Sequence, residues 1–215
     1  MVIEWFGHSS FLIISSNGTK IITDPYQPSA TLTYGLIGIP PDIVTVSHSH
    51  ADHAYAEGLQ NHFELISRPG VRVVRGIEFK GVESYHDSEE GALRGMNTMF
   101  VMNVDHIRIC HLGDLGHMLS YHQIEELGEI DILLIPVGGH YTIGPAEADT
   151  VIDQLNPKIV IPMHYKTEKA DMPIASVEEF LAGKENVYRL NASEFELIRE
   201  QLPEVRQIGV LKHSM

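Results

Sequence analysis

The chain has 215 residues, of which 43% are hydrophobic, and this length and composition suit a single domain spanning residues 1–215. Its formal net charge of −14 opposes the attraction on which non-specific binding to nucleic acid or anionic membranes depends, so we expect neither partner. The single cysteine, Cys110, excludes an internal disulfide, and the first residues lack the pattern of a secretory signal. No apolar run approaches the roughly 20 residues of a membrane span, and we therefore expect a cytoplasmic protein.

Three short strands are predicted at the start of the chain, over residues 2–6, 10–15 and 19–23. His8 lies between the first two strands. It is either a group that faces the substrate or supports the site, or a structural histidine hydrogen-bonded at a strand end. Asp24 directly follows the third strand, and we expect it to bind backbone amides of the later loop, with contact to the site as the alternative.

Residues 25–41 contain four prolines and two glycines, which predict a long loop. Loops of this length inside a compact domain are often functional. Three interpretations stay open for this one: a lid over a site, an ordinary surface excursion, or a patch buried against a second subunit. A homo-oligomer is therefore also left open.

A cluster of metal-binding side chains follows the buried strand predicted at residues 42–46: His48, His50, Asp52 and His53. In an extended segment, residues two apart face the same way, so His48 and His50 can bind one ion together. Asp52 and His53 come where the chain bends towards a helix predicted over residues 54–62, and they can reach a neighbouring point. This spacing favours two adjacent metal sites over a chance grouping among the 13 histidines.

Strands predicted between residues 71 and 85 lead into a polar, glycine-rich loop that begins at His86. His86 is the candidate for a further metal ligand after the first cluster. Arg94 and Asn97 lie on the same loop and are candidates for substrate contact.

A hairpin predicted over residues 98–104 and 107–110 leads into His111, Leu112, Gly113 and Asp114. His111 competes with His86 as a ligand, but it precedes Asp114 by three residues, so in an extended strand the two side chains point to opposite sides. His117 follows Asp114 by three on a bending loop and is a candidate proton donor or phosphate contact.

The last third of the chain alternates predicted helices and buried strands: helices at residues 121–127, 145–155 and 176–182, strands at 130–137 and 158–163, and short strands between 187 and 211. Two glycines after the strand at 130–137 precede His140 and Tyr141, which either form a substrate rim or belong to a simple turn. His164 ends the strand at 158–163. Tyr165 and Lys166 follow it and are candidates for binding an anionic group.

Taken together, the motif His48-x-His50-x-Asp52-His53, the later His86, the Gly113-Asp114 pair and His164 resemble the metallo-β-lactamase superfamily of metal-dependent hydrolases. The opening resembles the branch that includes ascorbate-6-phosphate lactonase and many bacterial zinc-dependent hydrolases of unassigned substrate. The resemblance implies a mixed α/β (α+β) fold, a four-layer αββα sandwich of two mixed β-sheets with helices on the outer faces. It also implies a dinuclear site along one edge of the sandwich.

The same resemblance implies how the metal ligands are divided. One ion would be bound by His48, His50 and His86. The other would be bound by Asp52, His53 and His164. Asp114 would bridge the two ions, because a shared carboxylate offsets their mutual repulsion.

Nitrogen and carboxylate ligands without a thiolate suit two zinc ions first, with manganese or iron as alternatives. Water held between two such ions loses a proton near neutral pH and becomes a nucleophilic hydroxide, and Asp52 would accept that proton and orient the hydroxide. We therefore expect a hydrolase that acts on a small ester, lactone, amide or phosphodiester substrate, phosphorylated or not.

Other chemistries of the superfamily fit less well. The chain is acidic and short for a nuclease, no flavodoxin-like domain follows, and His50 stands where the oxygen-reducing diiron members carry Glu. The rival from another class is a metal-binding regulatory or ligand-binding protein that has this fold but little turnover.

Overall fold

The computed structural model describes residues 1–60 and 62–215. Its three α-helices are α1 (Tyr121–Leu127), α2 (Pro145–Leu155) and α3 (Val177–Leu181), and short 3₁₀ turns lie at Ala56–Gly58 and Arg199–Gln201. The strands are, in chain order, β1 (Val2–Gly7), β2 (Ser10–Ile14), β3 (Lys20–Thr23), β4 (Ile43–Thr45), β5 (Glu64–Ile66), β6 (Gly70–Val74), β7 (Ile77–Tyr85), β8 (Met96–Val104), β9 (Ile107–His111), β10 (Ile132–Pro136), β11 (Ile159–Met163), β12 (Val187–Arg189), β13 (Glu194–Glu196) and β14 (Gln207–Val210).

These strands form two mixed sheets. The six-stranded sheet has the order β13-β1-β2-β3-β4-β5, and the eight-stranded sheet has the order β12-β14-β11-β10-β9-β8-β7-β6. Antiparallel hairpins build one part of each sheet, whereas β9, β10, β11 and β14 run parallel to one another. The ends of these parallel strands therefore meet at the same edge, where loops with functional side chains can converge.

The main hydrophobic core lies between the two sheets. Alternate residues of the six-stranded sheet, such as Ile3, Trp5 and Phe11, pack in the same cluster as Phe79 and Phe100 of the eight-stranded sheet. Strand β10 is buried at every position, because the sandwich covers one of its faces and α2 contacts the strand as well. This explains its continuous apolar run, which lacks the alternation of a half-exposed strand.

The outer faces of the two sheets are covered differently. Helices α1 and α2 contact strands of the eight-stranded sheet, and α3 packs on α2. On the six-stranded sheet, Phe6, Leu12 and Ile22 form a second apolar cluster with side chains of the loop at residues 25–41, among them Tyr26, Leu32, Tyr34 and Ile37. That loop covers the sheet in the way that a helix covers the other one, so the lid interpretation is not supported, whereas its role in an interface stays a prediction.

The two mixed sheets with few helices are confirmed, and most predicted elements lie within two residues of the observed ones. The prediction of helices on both outer faces is met on the eight-stranded sheet, whereas on the six-stranded sheet the loop at residues 25–41 takes that place. The helix predicted over residues 54–62 is wrong: the described part contains only the 3₁₀ turn at Ala56–Gly58, and Asn61 lies outside the described residues. The prediction failed because the segment has only about nine residues, and isolated short helices need tertiary packing to persist. No helix among the described residues has the length and apolar character that crossing a membrane requires.

Candidate metal centre

The predicted site residues lie on connections at one edge of the sandwich. The first cluster follows β4, His86 follows β7, Asp114 follows β9 and His164 follows β11. The turn between β1 and β2 brings His8 to the same place, since its backbone carbonyl accepts a hydrogen bond from His164 N at 3.1 Å. Five connections from both sheets therefore converge on one point.

Six histidines at this edge fall into two groups of three. The possible ligand atoms of His48, His50 and His86 lie within 4.8 Å of one another, and so do those of His8, His53 and His164. The three rings of the first group have pairwise centroid distances of 4.7, 4.7 and 5.0 Å. Each group has a spacing that allows its nitrogens to bind a common ion.

Asp114 lies between the two groups. Its Oδ2 atom is 3.1 Å from Nε2 of His86 in the first group. The same atom is 3.2 Å from Nε2 of His53 and 3.3 Å from Nε2 of His164 in the second group. One carboxylate oxygen thus contacts ligands of both predicted ions, as a bridging ligand must.

The polar atoms of this cluster fit a metal better than they fit one another. Among the described residues, Nε2 of His48, Nε2 of His53 and Oδ1 of Asp114 are buried without a hydrogen-bond partner. Leaving a buried polar atom unpaired costs about 1–3 kcal/mol, so native proteins rarely keep several together. A bound cation would satisfy these atoms, and the donor set of imidazoles and carboxylates suits zinc, manganese or iron.

Asp24 holds the ring of His53 in place. Its Oδ2 atom lies 3.0 Å from Nδ1 of His53 and accepts a hydrogen bond from the Ser47 hydroxyl, and its Oδ1 atom accepts from the Ser47 amide. The hydrogen bond from the Ser47 backbone amide is the contact predicted for Asp24 from the sequence. The contact with His53 is the alternative that was left open, and the structure contains both. A carboxylate on the far nitrogen fixes the orientation of a metal-binding imidazole and increases its basicity.

Asn97 supports Asp114 from the neighbouring strand. Its Oδ1 atom accepts a hydrogen bond from the Asp114 amide, and its Nδ2 group donates to Ser84 Oγ and to the carbonyl of Leu112. This residue was predicted to contact substrate, but its side chain is buried and fully engaged. Asn97 therefore positions the Asp114 carboxylate, a role that depends on strand pairing and leaves no motif in the sequence.

The electrostatics of the cluster favour bound cations. Burial lowers the pKa of His48 to about 3, so its imidazole is neutral and able to bind a metal. Burial also disfavours a charge on His53, but Asp114 and Asp24 outweigh it and hold the pKa of His53 well above the ordinary value. Burial raises the pKa of Asp114, yet His164 and His53 bring it well below the ordinary range. The field that attracts a proton to His53 attracts a metal ion equally.

Asp52 is half-exposed, whereas His53 beside it is buried. Its side chain is 39% exposed, and its Oδ2 atom lies 3.4 Å from Nε2 of His8 and 3.9 Å from Nε2 of His53. Burial raises its pKa, but the two imidazoles lower it below the usual range for aspartate. Asp52 is therefore an ionised carboxylate with one side open to solvent.

Two loops next to the candidate ligands, which we call the rim, contact each other. The loop after β7 carries Arg94, whose guanidinium lies 5.6 Å from the ring centre of Tyr141 in the loop after β10. The exposed His140 packs edge-on against that tyrosine. The interpretation of His140 and Tyr141 as a substrate rim stays a prediction. Gly138 is needed here for packing, because a Cβ atom would collide with the carbonyl oxygen of His164.

Other candidates are not brought to the metal cluster. His117 accepts a hydrogen bond from the Tyr85 amide, and its other ring nitrogen lies 2.7 Å from the carbonyl of Met118, which rules against the predicted proton donor. Tyr165 is buried in the hydrophobic core against Trp5, with centroids 5.2 Å apart, so the predicted anion contact is wrong for it. His111 contacts the carbonyl of Ser9 and the amide of Gly113, in agreement with the prediction that it is no ligand.

Comparisons with known proteins agree with this geometry. A family model described as "Beta-lactamase superfamily domain" matches residues 2–164. A UPF0173 metal-dependent hydrolase from Methanospirillum hungatei is 31% identical over 191 residues, which cover 78% of this chain and 84% of the relative. Another, from Methanopyrus kandleri, is 29% identical over 199 residues, covering 78% and 85%.

Two solved structures extend the similarity to the whole fold. A protein of the metallo-β-lactamase superfamily from Thermotoga maritima has a TM-score of 0.82 and 41% identity, and the match covers 98% of this chain and 97% of that one. A metallo hydrolase from Ignicoccus hospitalis has a TM-score of 0.62 and 26% identity, covering 83% and 88%. The chain therefore belongs to the metallo-β-lactamase superfamily, and within it to the UPF0173 metal-dependent hydrolases.

Proposed function

We propose that this protein hydrolyses a small ester, lactone or phosphodiester with the help of two divalent metal ions. The observation that carries the proposal is the position of Asp114 Oδ2, 3.1 Å from the His86 ring on one side and 3.2 Å from the His53 ring on the other. A carboxylate placed between two imidazole groups suits a pair of ions rather than a single one. Zinc is the first candidate for this donor set, and manganese or iron are the alternatives.

Two bound divalent ions would supply acidified water and polarise the carbonyl or phosphoryl group of the substrate. The protein's own part is to hold the ligands rigidly and to guide the proton. Asp24 and Asn97 fix His53 and Asp114, so little reorganisation accompanies the reaction. Asp52 has its open side towards solvent, where an ionised carboxylate orients the attacking water and receives its proton.

The rim supports a small substrate. Arg94 and Tyr141 contact each other across the loops that follow β7 and β10. A guanidinium next to an aromatic ring offers both a positive charge and an apolar surface, which suits a compact molecule that carries an acidic group. Together with the net charge of −14, this favours a small substrate, and no nucleic-acid or membrane partner is proposed.

The test is turnover under controlled metal loading. The purified protein is stripped of metal, reloaded with zinc, manganese or ferrous iron, and assayed on panels of esters, lactones and phosphodiesters. We expect hydrolysis of one panel, and we expect Asp52→Ala to lower kcat about 10²–10⁴-fold, the usual contribution of a general base. His117→Gln is the matched control, because both ring nitrogens of His117 contact backbone groups and neither contacts a candidate ligand side chain.

Two results would contradict the proposal. If the wild-type protein binds fewer than two equivalents of every metal tried, the dinuclear centre is wrong. If it binds two equivalents tightly but hydrolyses no member of any panel, the metal-binding regulatory protein becomes the better interpretation.

A further inference from the structure

We propose that His8 is a direct ligand of the second metal ion, alongside His53 and His164. The inference rests on the proposed dinuclear hydrolase and changes its ligand set. The predicted set contains the imidazoles of His48, His50, His53, His86 and His164, and His8 would add a sixth.

The backbone holds His8 in one orientation. The residue lies in the turn between β1 and β2 with a φ of 53°, a left-handed conformation that non-glycine residues seldom adopt. Its carbonyl oxygen accepts hydrogen bonds from Trp5 Nε1 and from the amide of His164, each at 3.1 Å. A residue that is held in a strained backbone conformation by two hydrogen bonds is typical of a functional position.

Gly7, directly before His8, makes this turn possible. Its φ is 121°, and a Cβ atom at this position would collide with the ring of Tyr34. The turn therefore depends on a glycine and a packed tyrosine that together direct the next side chain towards the cluster.

The ring of His8 lies near Asp52 but has no aligned hydrogen bond that would explain its burial. The residue is 1% exposed, and neither of its ring nitrogens has a hydrogen-bond partner among the described residues. The other fully buried histidine outside the predicted ligand set behaves differently: His111 uses both nitrogens, towards Ser9 O and Gly113 N. A structural histidine is paired in this way, whereas an unpaired imidazole needs another kind of partner.

The distances around His8 are those of ligands on a common ion. Its ring centroid lies 4.2 Å from that of His164 and 4.8 Å from that of His53. Its Nε2 atom is 3.4 Å from Oδ2 of Asp52 but is not aligned for a hydrogen bond. Bonds of about 2.0–2.2 Å in a tetrahedral zinc site place neighbouring ligand atoms about 3.3–3.6 Å apart.

This assignment makes the two halves of the centre alike. Each ion would have three imidazoles, from His48, His50 and His86 on one side and from His8, His53 and His164 on the other, with Asp114 between them. Asp52 would then not be needed to complete the second ion. Its half-exposed carboxylate would be available to orient water and accept a proton.

The test counts zinc-bound imidazoles directly. The protein is labelled with ¹⁵N-histidine, stripped, loaded with zinc, and studied by long-range ¹H–¹⁵N correlation NMR, in which a zinc-bound nitrogen resonates apart from a protonated or free one. We expect six zinc-bound imidazoles in the wild-type protein, counting His8 with the predicted five, and five in His8→Gln. The control His117→Gln should keep all six.

The wild-type spectrum alone decides the matter even if His8→Gln fails to fold. Five zinc-bound imidazoles in the wild-type protein, or a set unchanged by His8→Gln, would overturn the role of His8. A protein that shows five but still binds two zinc ions and turns over substrate would leave the proposed function intact. A protein that binds no zinc would remove the proposed function and this inference together.

Discussion

A buried aspartate lies at each end of the parallel strands, and the two differ in how their carboxylates are paired. Asp131 lies just before β10, is 8% exposed, and accepts a hydrogen bond from the Arg108 amide while pairing with Lys158 at 3.2 Å. Asp114 lies just after β9, is 2% exposed, and has one oxygen with no partner among the described residues. One end satisfies its buried carboxylate with the chain itself, and the other surrounds it with imidazoles.

The difference separates stability from function. A buried charge that serves the fold is paired within the protein, because an unpaired one would cost several kcal/mol. A buried charge left incomplete among potential ligands indicates that a partner from outside the chain completes it. Asp131 and Asp114 should therefore respond differently to mutation and to metal.

Removal of metal should have the largest effect, and only at the Asp114 end. Chelation should abolish hydrolysis and lower the midpoint of thermal unfolding, because an ion present at 1,000 times its Kd stabilises the folded state by about 4 kcal/mol. Calorimetry of stripped and reloaded protein measures both. A thermal midpoint that ignores metal would mean that the unpaired atoms of the cluster are not metal ligands.

Asp114→Ala should cost about a thousandfold in turnover, because it removes the contact shared by both histidine groups. Elemental analysis should show fewer than two equivalents of metal. In the stripped state, the variant should unfold at nearly the same denaturant concentration as the stripped wild type. Two full equivalents retained by the variant would remove Asp114 from the bridging role.

Asp131→Ala should reverse that pattern. Loss of this carboxylate leaves the Arg108 amide without its acceptor and removes the contacts with the half-exposed Lys158 and Arg199. It should cost about 1–3 kcal/mol of unfolding free energy, mostly from the unpaired amide. Urea denaturation measures the loss, whereas metal content and kcat of the folded fraction should equal those of the wild type. A change in the metal affinity of Asp131→Ala would contradict the separate roles of Asp131 in stability and Asp114 in metal binding.

Asp24→Asn should have a smaller effect confined to the second ion. The substitution weakens the hold on His53, and loss of such an outer partner usually costs 10–100-fold in metal affinity. Competition with a chromophoric chelator measures each equivalent separately. Equal weakening of both equivalents would show that Asp24 acts on the whole loop rather than on His53.

The smallest expected effect is a pH-dependent loosening of the rim loop after β7, which depends on the ionisation of Asp87. Partial burial raises the pKa of Asp87, but amide hydrogen bonds from Arg94, Glu89, Gly91 and Leu93 lower it below the ordinary value of 3.8. Because the folded pKa is depressed, this contribution is present above the unfolded pKa and disappears as the pH falls through the folded value. The protection factor of the Gly91 amide against hydrogen exchange should fall there, and Asp87→Asn should remove that dependence.

The sequence was sufficient to predict which side chains would lie together, because the candidate ligands follow strand ends. His86, Asp114 and His164 each come after a recognisable apolar run, so their order along the chain predicted that they would meet. The strand ends of a sandwich share one edge, and the structure brings all three within reach of His53 and His48. Whether each of them binds metal remains a prediction.

Other features depended on tertiary contacts that leave no local pattern. The position of His8 follows from a left-handed turn held by Trp5 and His164, and the role of Asn97 follows from its pairing beside Leu112. The composition of the loop at residues 25–41 allowed a lid, yet its tyrosines pack on the outer face of the six-stranded sheet. No local sequence pattern predicts that contact. Long-range packing decided each of these cases.

Three residues of the centre, His8, Asp24 and His164, have φ values of 53°, 38° and 51°. Such left-handed backbone conformations typically cost non-glycine residues about 1–3 kcal/mol each. Glycine at these positions would relieve the strain and remove the side chain together, so selection for heat resistance alone would drive the protein towards a sturdier but inert variant. Directed evolution that screens only for solubility or melting temperature should therefore replace these turn residues first and lose activity as a result.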